Sequence, residues 1–519
     1  MSQSRYITRG VLLNWLALAT MVMVSFFLSP FIVQHLGNVA YGVWTIINSI
    51  VSYMGLLDLG LRGAVTRFVA RDYTQGNHEE AGRTVSIALG IRIWIGVGIL
   101  VISGLLALWL PYLFVIPAEI YGAGRFAVMV TGVSAAINLA FGVFGGTLAA
   151  LHRFDLLSAV TIVQTLLRAS GVIFLLRSGY GIGALAIWEL IVVIISNTTQ
   201  CIFSLREYPM LRIVFGNFDQ ELFRKLWEYS IYAFLVNACS QVIYYTDALV
   251  VGAFVSAGAV TFYAIGGGLI EYLMRLVSSL TMTFTPLASS LDAREGNGAL
   301  RELLICGTRA ALFVALPVQA GLFVCGETFI GLWMGAAYAK TSSEILRILL
   351  IAQLFIVANM TSAGIVFGVN KHRPWALMMA VEAIANIILS IILVRWIGLH
   401  GVAWGTVIPS LVTQLVFWPR YVCKIVDLSV LSYLWQAWVR SYVTVIPFAV
   451  AVYVVDQRWK ATNLLMFMSQ MVLLTPVFIL TVVCCFPKET AEMVRKRPAW
   501  LLRSSRTTQT SLGKVSGLL

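Results

Sequence analysis

Charge is what this chain has least of. Only 11% of its 519 residues are Asp, Glu, Lys or Arg, where a water-soluble domain carries about a quarter. That scarcity excludes a solvated globule. Catalytic signatures are also missing. There is no phosphate-binding glycine loop before a lysine, no HExxH and no Gly-x-Ser-x-Gly. Neither ATP hydrolysis nor hydrolase chemistry is therefore indicated, and no catalytic residue is assigned. The cysteines, Cys201, Cys239, Cys306, Cys325, Cys423, Cys484 and Cys485, lie in or beside apolar runs. None has zinc-ligand spacing and adjacent Cys484-Cys485 is a poor disulfide pair, so they read as small packing residues and no metal site is assigned. No loop is long enough for a soluble enzyme domain; the longest internal one runs over roughly 204–229.

What is present is hydrophobic sequence, 59% of the chain. Apolar runs of about 18 to 25 residues recur, each able to cross about 30 Å of hydrocarbon. Their cores are 11–33, 41–60, 84–110, 125–149, 156–176, 181–203, 230–254, 259–287, 303–325, 345–368, 375–394, 400–422, 436–455 and 463–486. The expected fold class is an all-α integral membrane protein of about fourteen spans. The first run is too long for a signal peptide and is read as a retained span.

The net charge of +13 is topological. Arg71, Arg83, Arg153, Arg206, Arg212, Arg301, Lys371, Arg373 and Arg420 fall on one set of alternate loops, with the N-terminus and the basic tail. The other set holds little beyond Arg125, Arg177, Lys340, Arg395, Arg458 and Lys460. This split predicts both termini in the cytoplasm and makes nucleic acid an unneeded partner. The tail also suits anionic lipid headgroups.

A large block is written twice, about 220 residues apart. Gln75-Gly76-Asn77 returns as Glu295-Gly296-Asn297, and His152-Arg153 as His372-Arg373. Tyr180-Gly181-Ile182-Gly183-Ala184 aligns with Gly398-Leu399-His400-Gly401-Val402, and Gly90-Ile91-Arg92 with Gly307-Thr308-Arg309. The expected division is a six-span lobe over 1–215, a second over 216–428, an accessory pair over 429–487 and a basic tail over 488–519. An even span count relates the lobes by an axis along the membrane normal, with a cavity between them. A helix over Phe218 to Glu228 would link them at the interface.

Charges within spans should face protein or water, because hydrocarbon penalises each by about 2.5 to 3.5 kcal/mol. Arg92 and Arg309 read as paired cations on opposite cavity walls, suited to a phosphate or pyrophosphate. The other reading is that each satisfies a carboxylate or carbonyl within its own lobe. Glu271 and Arg275 share a helix face, as a structural pair or a gate. Arg168 and Glu189 read as a buried interhelical pair. Asp58 and Arg62, four residues apart, sit near a span end. Asp247 and Glu382 lack a local cation and are candidates for proton or sodium coupling. Asn14, Asn138, Asn237, Gln241, Gln319, Asn359 and Asn386 suit a wet lumen or interhelical hydrogen bonds. Gly142, Gly145 and Gly146 favour close helix approach, and Pro30, Pro286, Pro317 and Pro409 suit kinks.

The run Leu28-Ser29-Pro30-Phe31, Leu36-Gly37, Tyr41-Gly42-Val43-Trp44 and Leu56-Leu57-Asp58-Leu59-Gly60-Leu61 with Arg67 resembles the start of Wzx-type oligosaccharide flippases. These are the polysaccharide-export branch of the MOP exporter superfamily, which also holds the lipid II flippase MurJ and the MATE drug exporters. The resemblance implies transport by alternating access in the bacterial inner membrane. The cargo would be a lipid-linked oligosaccharide on polyprenyl pyrophosphate, driven by sodium or proton antiport, with no other cofactor. Asp58 and Arg67 match the motif positions. Arg92, Arg309, Arg275, Arg62 and Arg67 become the candidate lumenal cations for the head, and Asp58, Asp247, Glu271 and Glu382 the coupling or gating candidates. A polymerase and a chain-length regulator are the protein partners implied. The alternatives are a membrane polymerase or glycosyltransferase of the same pathway, a lipid II flippase, or a drug exporter of the same fold.

Overall fold

The computed structural model describes the backbone of residues 3–213, 220–294 and 296–486, and the side chains of 12–213, 234–293 and 296–486. Part of the expected linking helix and the basic tail lie outside these residues. The first lobe comprises α1 (Gln3–Leu36), α2 (Asn38–Met54), α3 (Leu61–Thr74), α4 (His78–Leu113), α5 (Tyr121–Ala150), α6 (Phe154–Arg177) and α7 (Ile182–Glu207). The second comprises α8 (Gln220–Phe254), α9 (Ala257–Thr281), α10 (Phe284–Arg294), α11 (Asn297–Trp333), α12 (Ala336–Gly368), α13 (Arg373–Ile397), α14 (Leu399–Val412) and α15 (Trp418–Val426). Then follow α16 (Val430–Tyr433), α17 (Arg440–Arg458) and α18 (Leu464–Cys485).

Runs this apolar must satisfy their backbone internally when they cross hydrocarbon, and a helix does so within one segment. Fourteen helices among the described residues are long and apolar enough to span, at 21 to 37 residues each. No strand occurs among them. The packing pattern repeats. In the first lobe α4 packs on α5, α5 on α7, and α1 on α6; in the second α11 packs on α12, α12 on α14, and α8 on α13. The accessory helix α17 packs on α11 and α18.

The turns mark where one lobe copies the other. His152, before α6, and Asn370, before α13, both adopt φ 57°. Their neighbours match: Leu151, His152 and Arg153 donate to Thr147, Ala149 and Leu148, as Val369, Asn370 and Lys371 donate to Ile365, Phe367 and Val366. This register sets His152 against Asn370, two residues from the His372 the sequence suggests. Gly181 and Gly398 cap α7 and α14, so they align with each other, one residue from the sequence alignment. Pro30, Pro317 and Pro409 lie inside helices. Pro286 falls in the first turn of α10, where proline is tolerated. A π-helical turn, Thr413–Phe417, begins four residues after Pro409. A second spans Leu434–Val439.

Candidate functional site at the interlobe space

Call the end bearing the start of α1 and the finish of α18 the terminal end, and the opposite end the far end. At the far end the lobes meet backbone to backbone. A Cβ on Gly42 would fall 1.7 Å from the Ala257 carbonyl oxygen, so only glycine fits there. Thr261 donates to the Asn38 carbonyl at 2.6 Å. Counted from the starts of α2 and α9, Gly42 is the counterpart of Thr261 and Asn38 of Ala257. The two contacts thus exchange under the repeat. Val115 completes the seam, donating to Gly252 at 2.9 Å and accepting from Ala257 at 3.0 Å.

Deeper in, two tyrosines reach across. Tyr53 on α2 bonds Thr246 on α8, and Tyr272 on α9 bonds Ser29 on α1 at 3.3 Å. Tyr53 and Tyr272 are themselves repeat counterparts. Phe26 stacks on Trp333 at 4.9 Å, and the Trp333 indole donates to the Phe26 carbonyl at 3.0 Å. The deepest described polar contact between lobes is Arg275 to the Met21 sulfur at 3.6 Å. Toward the terminal end α8 also runs past α3.

Arg275 holds Glu271 at 2.6 Å, as the four-residue spacing predicts, and their side chains are 40% and 50% exposed. Glu271 lies fourteen residues, about 21 Å, from the start of α9, so both charges sit deep in a span yet open to space.

Asp58, Arg62 and Arg92 are organised differently from their spacing. The chain turns sharply after Asp58, with Leu59 at φ 52° and Gly60 at φ 75°. Asp58 and Arg62 therefore do not share a helix face. Asp58 accepts from the Arg62 backbone N–H at 3.3 Å and forms an ion pair with Arg92. Arg92 is 1% exposed and also donates to the Leu139 carbonyl at 3.3 Å. Gly142 makes room for it, since a Cβ there would lie 3.2 Å from its Nη1. Gly145 does the same for Gln200 and Arg62. The Arg62 side chain is exposed at the mouth of α3, and Arg67 is exposed further along that helix.

Arg309 does not stand opposite Arg92. Its Nε donates to the Gln436 carbonyl at 3.1 Å, and its guanidinium lies 4.7 Å over the Phe486 ring. It faces the accessory helices. Counted from the starts of α4 and α11, Arg92 is the counterpart of Ala311. Two residues are about 200° of helix, so the glycine-x-arginine match places the two side chains on opposite faces. The paired-cation reading fails, and each arginine finds its partners within its own surroundings, with the Nε of Arg92 buried without a hydrogen-bond partner.

Arg168 and Glu189 do pair, at 2.5 Å, but partly exposed rather than buried, at 46% and 23% exposure. Asp247 is buried, accepting from Tyr263 at 2.5 Å and Thr406 at 2.8 Å. Asn386 donates to Thr406 at 2.9 Å. Glu382 is buried and accepts from Thr413 at 2.6 Å, at the start of a π-helical turn. No described ion pair reaches either carboxylate. Of the amides, Asn138 bonds Asn197 at 3.3 Å and Asn359 bonds Gln414 at 3.0 Å. Sequence reading missed Tyr53, Tyr272, Tyr263, Thr406 and Thr413. Tyr53 and Tyr272 recur at the repeat spacing, which was the available signal.

Two helical lobes related by an internal repeat, meeting over a charged space, make a fold shared with solved transporters of the MOP superfamily. The chain belongs to the polysaccharide biosynthesis protein family, whose model matches residues 33–343. It is similar to AglR of Haloferax volcanii, described as a probable flippase, at 22% identity over 78% of this chain and 80% of that one. It is also similar to EpsK of Bacillus subtilis, described as a membrane protein, at 20% identity over 79% of this chain and 82% of that one. Among solved structures, the lipid II flippase MurJ in an inward closed conformation aligns with a TM-score of 0.72. That alignment has 16% identity and covers 92% of this chain and all of MurJ.

Proposed function

We propose that the protein is a flippase for a polyprenyl-pyrophosphate-linked oligosaccharide. The head passes between the lobes by alternating access while the isoprenoid tail stays in lipid. The half-exposed Glu271–Arg275 pair carries this reading. Charges that deep are tolerated where they face water, so the space between the lobes is a wet lumen. A duplicated bundle with such a lumen is the architecture of alternating access. The relatives described as flippases and the family's place in polysaccharide biosynthesis support the cargo class.

The terminal end is cytoplasmic on the distribution of basic loops. The far-end seam then closes the outside, and the lumen receives the head from the cytoplasm. Arg275, Arg62 and Arg67 are the cations offered to the pyrophosphate; Arg92 is committed to Asp58. Asp247 and Glu382 are the coupling carboxylates. A buried carboxylate without a fixed cation needs an exchangeable partner, a proton or sodium.

The test replaces Arg275 and Arg62 together with Ala. Glycan export is expected to fall at least tenfold at normal protein level, with lipid-linked units retained on the cytoplasmic face. Arg309→Ala is expected to retain export. Intact export in the double variant would refute the lumenal assignment. Single exported units in a deletion strain would favour the polymerase reading instead.

A further inference from the structure

The last two spans of each lobe carry the same pair of polar layers in different chemistry. The matched turns at His152 and Asn370 set Gln164 opposite Glu382 and Arg168 opposite Asn386. The capping glycines Gly181 and Gly398 set Glu189 opposite Thr406 and Ser196 opposite Thr413. The hydrogen bonds then correspond pair by pair. Ser196 donates to Gln164 at 3.2 Å where Thr413 donates to Glu382 at 2.6 Å. Arg168 bonds Glu189 at 2.5 Å where Asn386 bonds Thr406 at 2.9 Å. Thr406 continues to Asp247 on α8. The counterpart of Asp247 on α1 is Ser29, because Gly37 closes on Val33 as Val255 closes on Val251.

Each lobe thus holds one carboxylate in its upper layer, Glu189 in the first and Asp247 in the second. The first has a guanidinium beside it. Around the second the described contacts are hydroxyls and an amide. In the lower layer the first lobe replaces Glu382 by glutamine, its uncharged isostere.

We propose that Arg168 is a tethered cation. It fills permanently, in the first lobe, the charge place that the second lobe leaves to an exchangeable ion. This rests on the ion-coupling reading of Asp247. The guanidinium is carried by the chain itself, so Glu189 has its counter-charge beside it whatever ions are present. Gln164 carries no charge to balance. The first lobe is therefore deaf to ion concentration, and the second alone responds. Arg168 acts as a specificity-determining residue for how many ions move, without touching cargo.

The experiment measures the melting temperature of the purified full chain at pH 8, in sodium chloride against choline chloride at equal ionic strength. Asp247→Asn removes the response at Asp247 and leaves that of Glu382. In that background, Arg168→Gln leaves Glu189 without its cation. The R168Q/D247N protein is expected to show a larger sodium-dependent rise in melting temperature than D247N alone. Equal sodium responses in the two proteins would overturn the proposal. Wild type against D247N tests the coupling reading separately, so either can fail alone. Should R168Q/D247N not fold, the double change Arg168→Asn with Glu189→Thr installs the Asn386–Thr406 hydrogen-bonded pair of the second lobe and removes cation and carboxylate together. It is expected to restore wild-type expression; if only Arg168→Lys is tolerated, the guanidinium serves packing and the proposal falls.

Discussion

The two lobes share a backbone plan and differ in how they neutralise charge. The first uses fixed ion pairs: Arg92 with Asp58, Arg168 with Glu189, and Arg153 with Asp155 and Glu207. The second has ion pairs of its own, Glu271 with Arg275 and Arg301 with Asp427, but keeps its buried carboxylates Asp247 and Glu382 on hydroxyl donors and turns Arg309 outward to the accessory helices. Duplication therefore preserved turns and hydrogen-bonded layers, and let charge diverge. Among the described residues the buried carboxylates of the first lobe, Asp72 and Asp155, each have a guanidinium partner, and those of the second, Asp247 and Glu382, have hydroxyl partners instead.

The contrast between the lobes is most exposed to mutation at Asp58. It is 27% exposed, while its partner Arg92 is 1% exposed. Asp58→Ala strands a buried guanidinium and is expected to lower unfolding stability by about 3–5 kcal/mol. Arg92→Ala leaves a carboxylate that still reaches solvent and caps α3, so a smaller loss is expected. Denaturation of the two variants side by side checks the order; equal losses would remove the distinction between buried and exposed partners.

Next comes the seam, where counterparts respond unequally. Gly42→Ala pushes a methyl into the Ala257 carbonyl and is expected to abolish far-end closure, read as labelling of a cysteine placed at Tyr53. Thr261→Ala, at the corresponding place, removes one hydrogen bond and is expected to cost about 1 kcal/mol.

The smallest effect is expected at the tyrosines. Tyr53→Phe and Tyr272→Phe each delete one cross-lobe hydroxyl and should cost similar amounts, about 0.5–1.5 kcal/mol apiece. A clear inequality in melting temperature would show that the two contacts are not functional copies.

Fourteen spans and a tandem repeat were legible in the sequence because span length and composition are set by the bilayer. The Glu271–Arg275 and Arg168–Glu189 pairs were legible too, since helix periodicity and rise bring those residues together. The partner of Arg92 was not. Asp58 reaches it only because Leu59 and Gly60 take left-handed conformations, which a continuous helical reading passes over. The Arg92–Arg309 match failed for a related reason. Turns in the two lobes differ by a residue or two, and a two-residue slip carries a side chain to the opposite face. Likewise the layer Gln164–Ser196 and Glu382–Thr413 was hidden, because a glutamine and a glutamate share shape and not charge.

The seam at Gly42 and Ala257 has a mechanical consequence. Its contact and the Asn38–Thr261 contact exchange under the repeat, so the axis relating the lobes runs between them. Carbonyl against glycine leaves no side chain between the two backbones at that point, so parting the lobes there breaks only van der Waals contact.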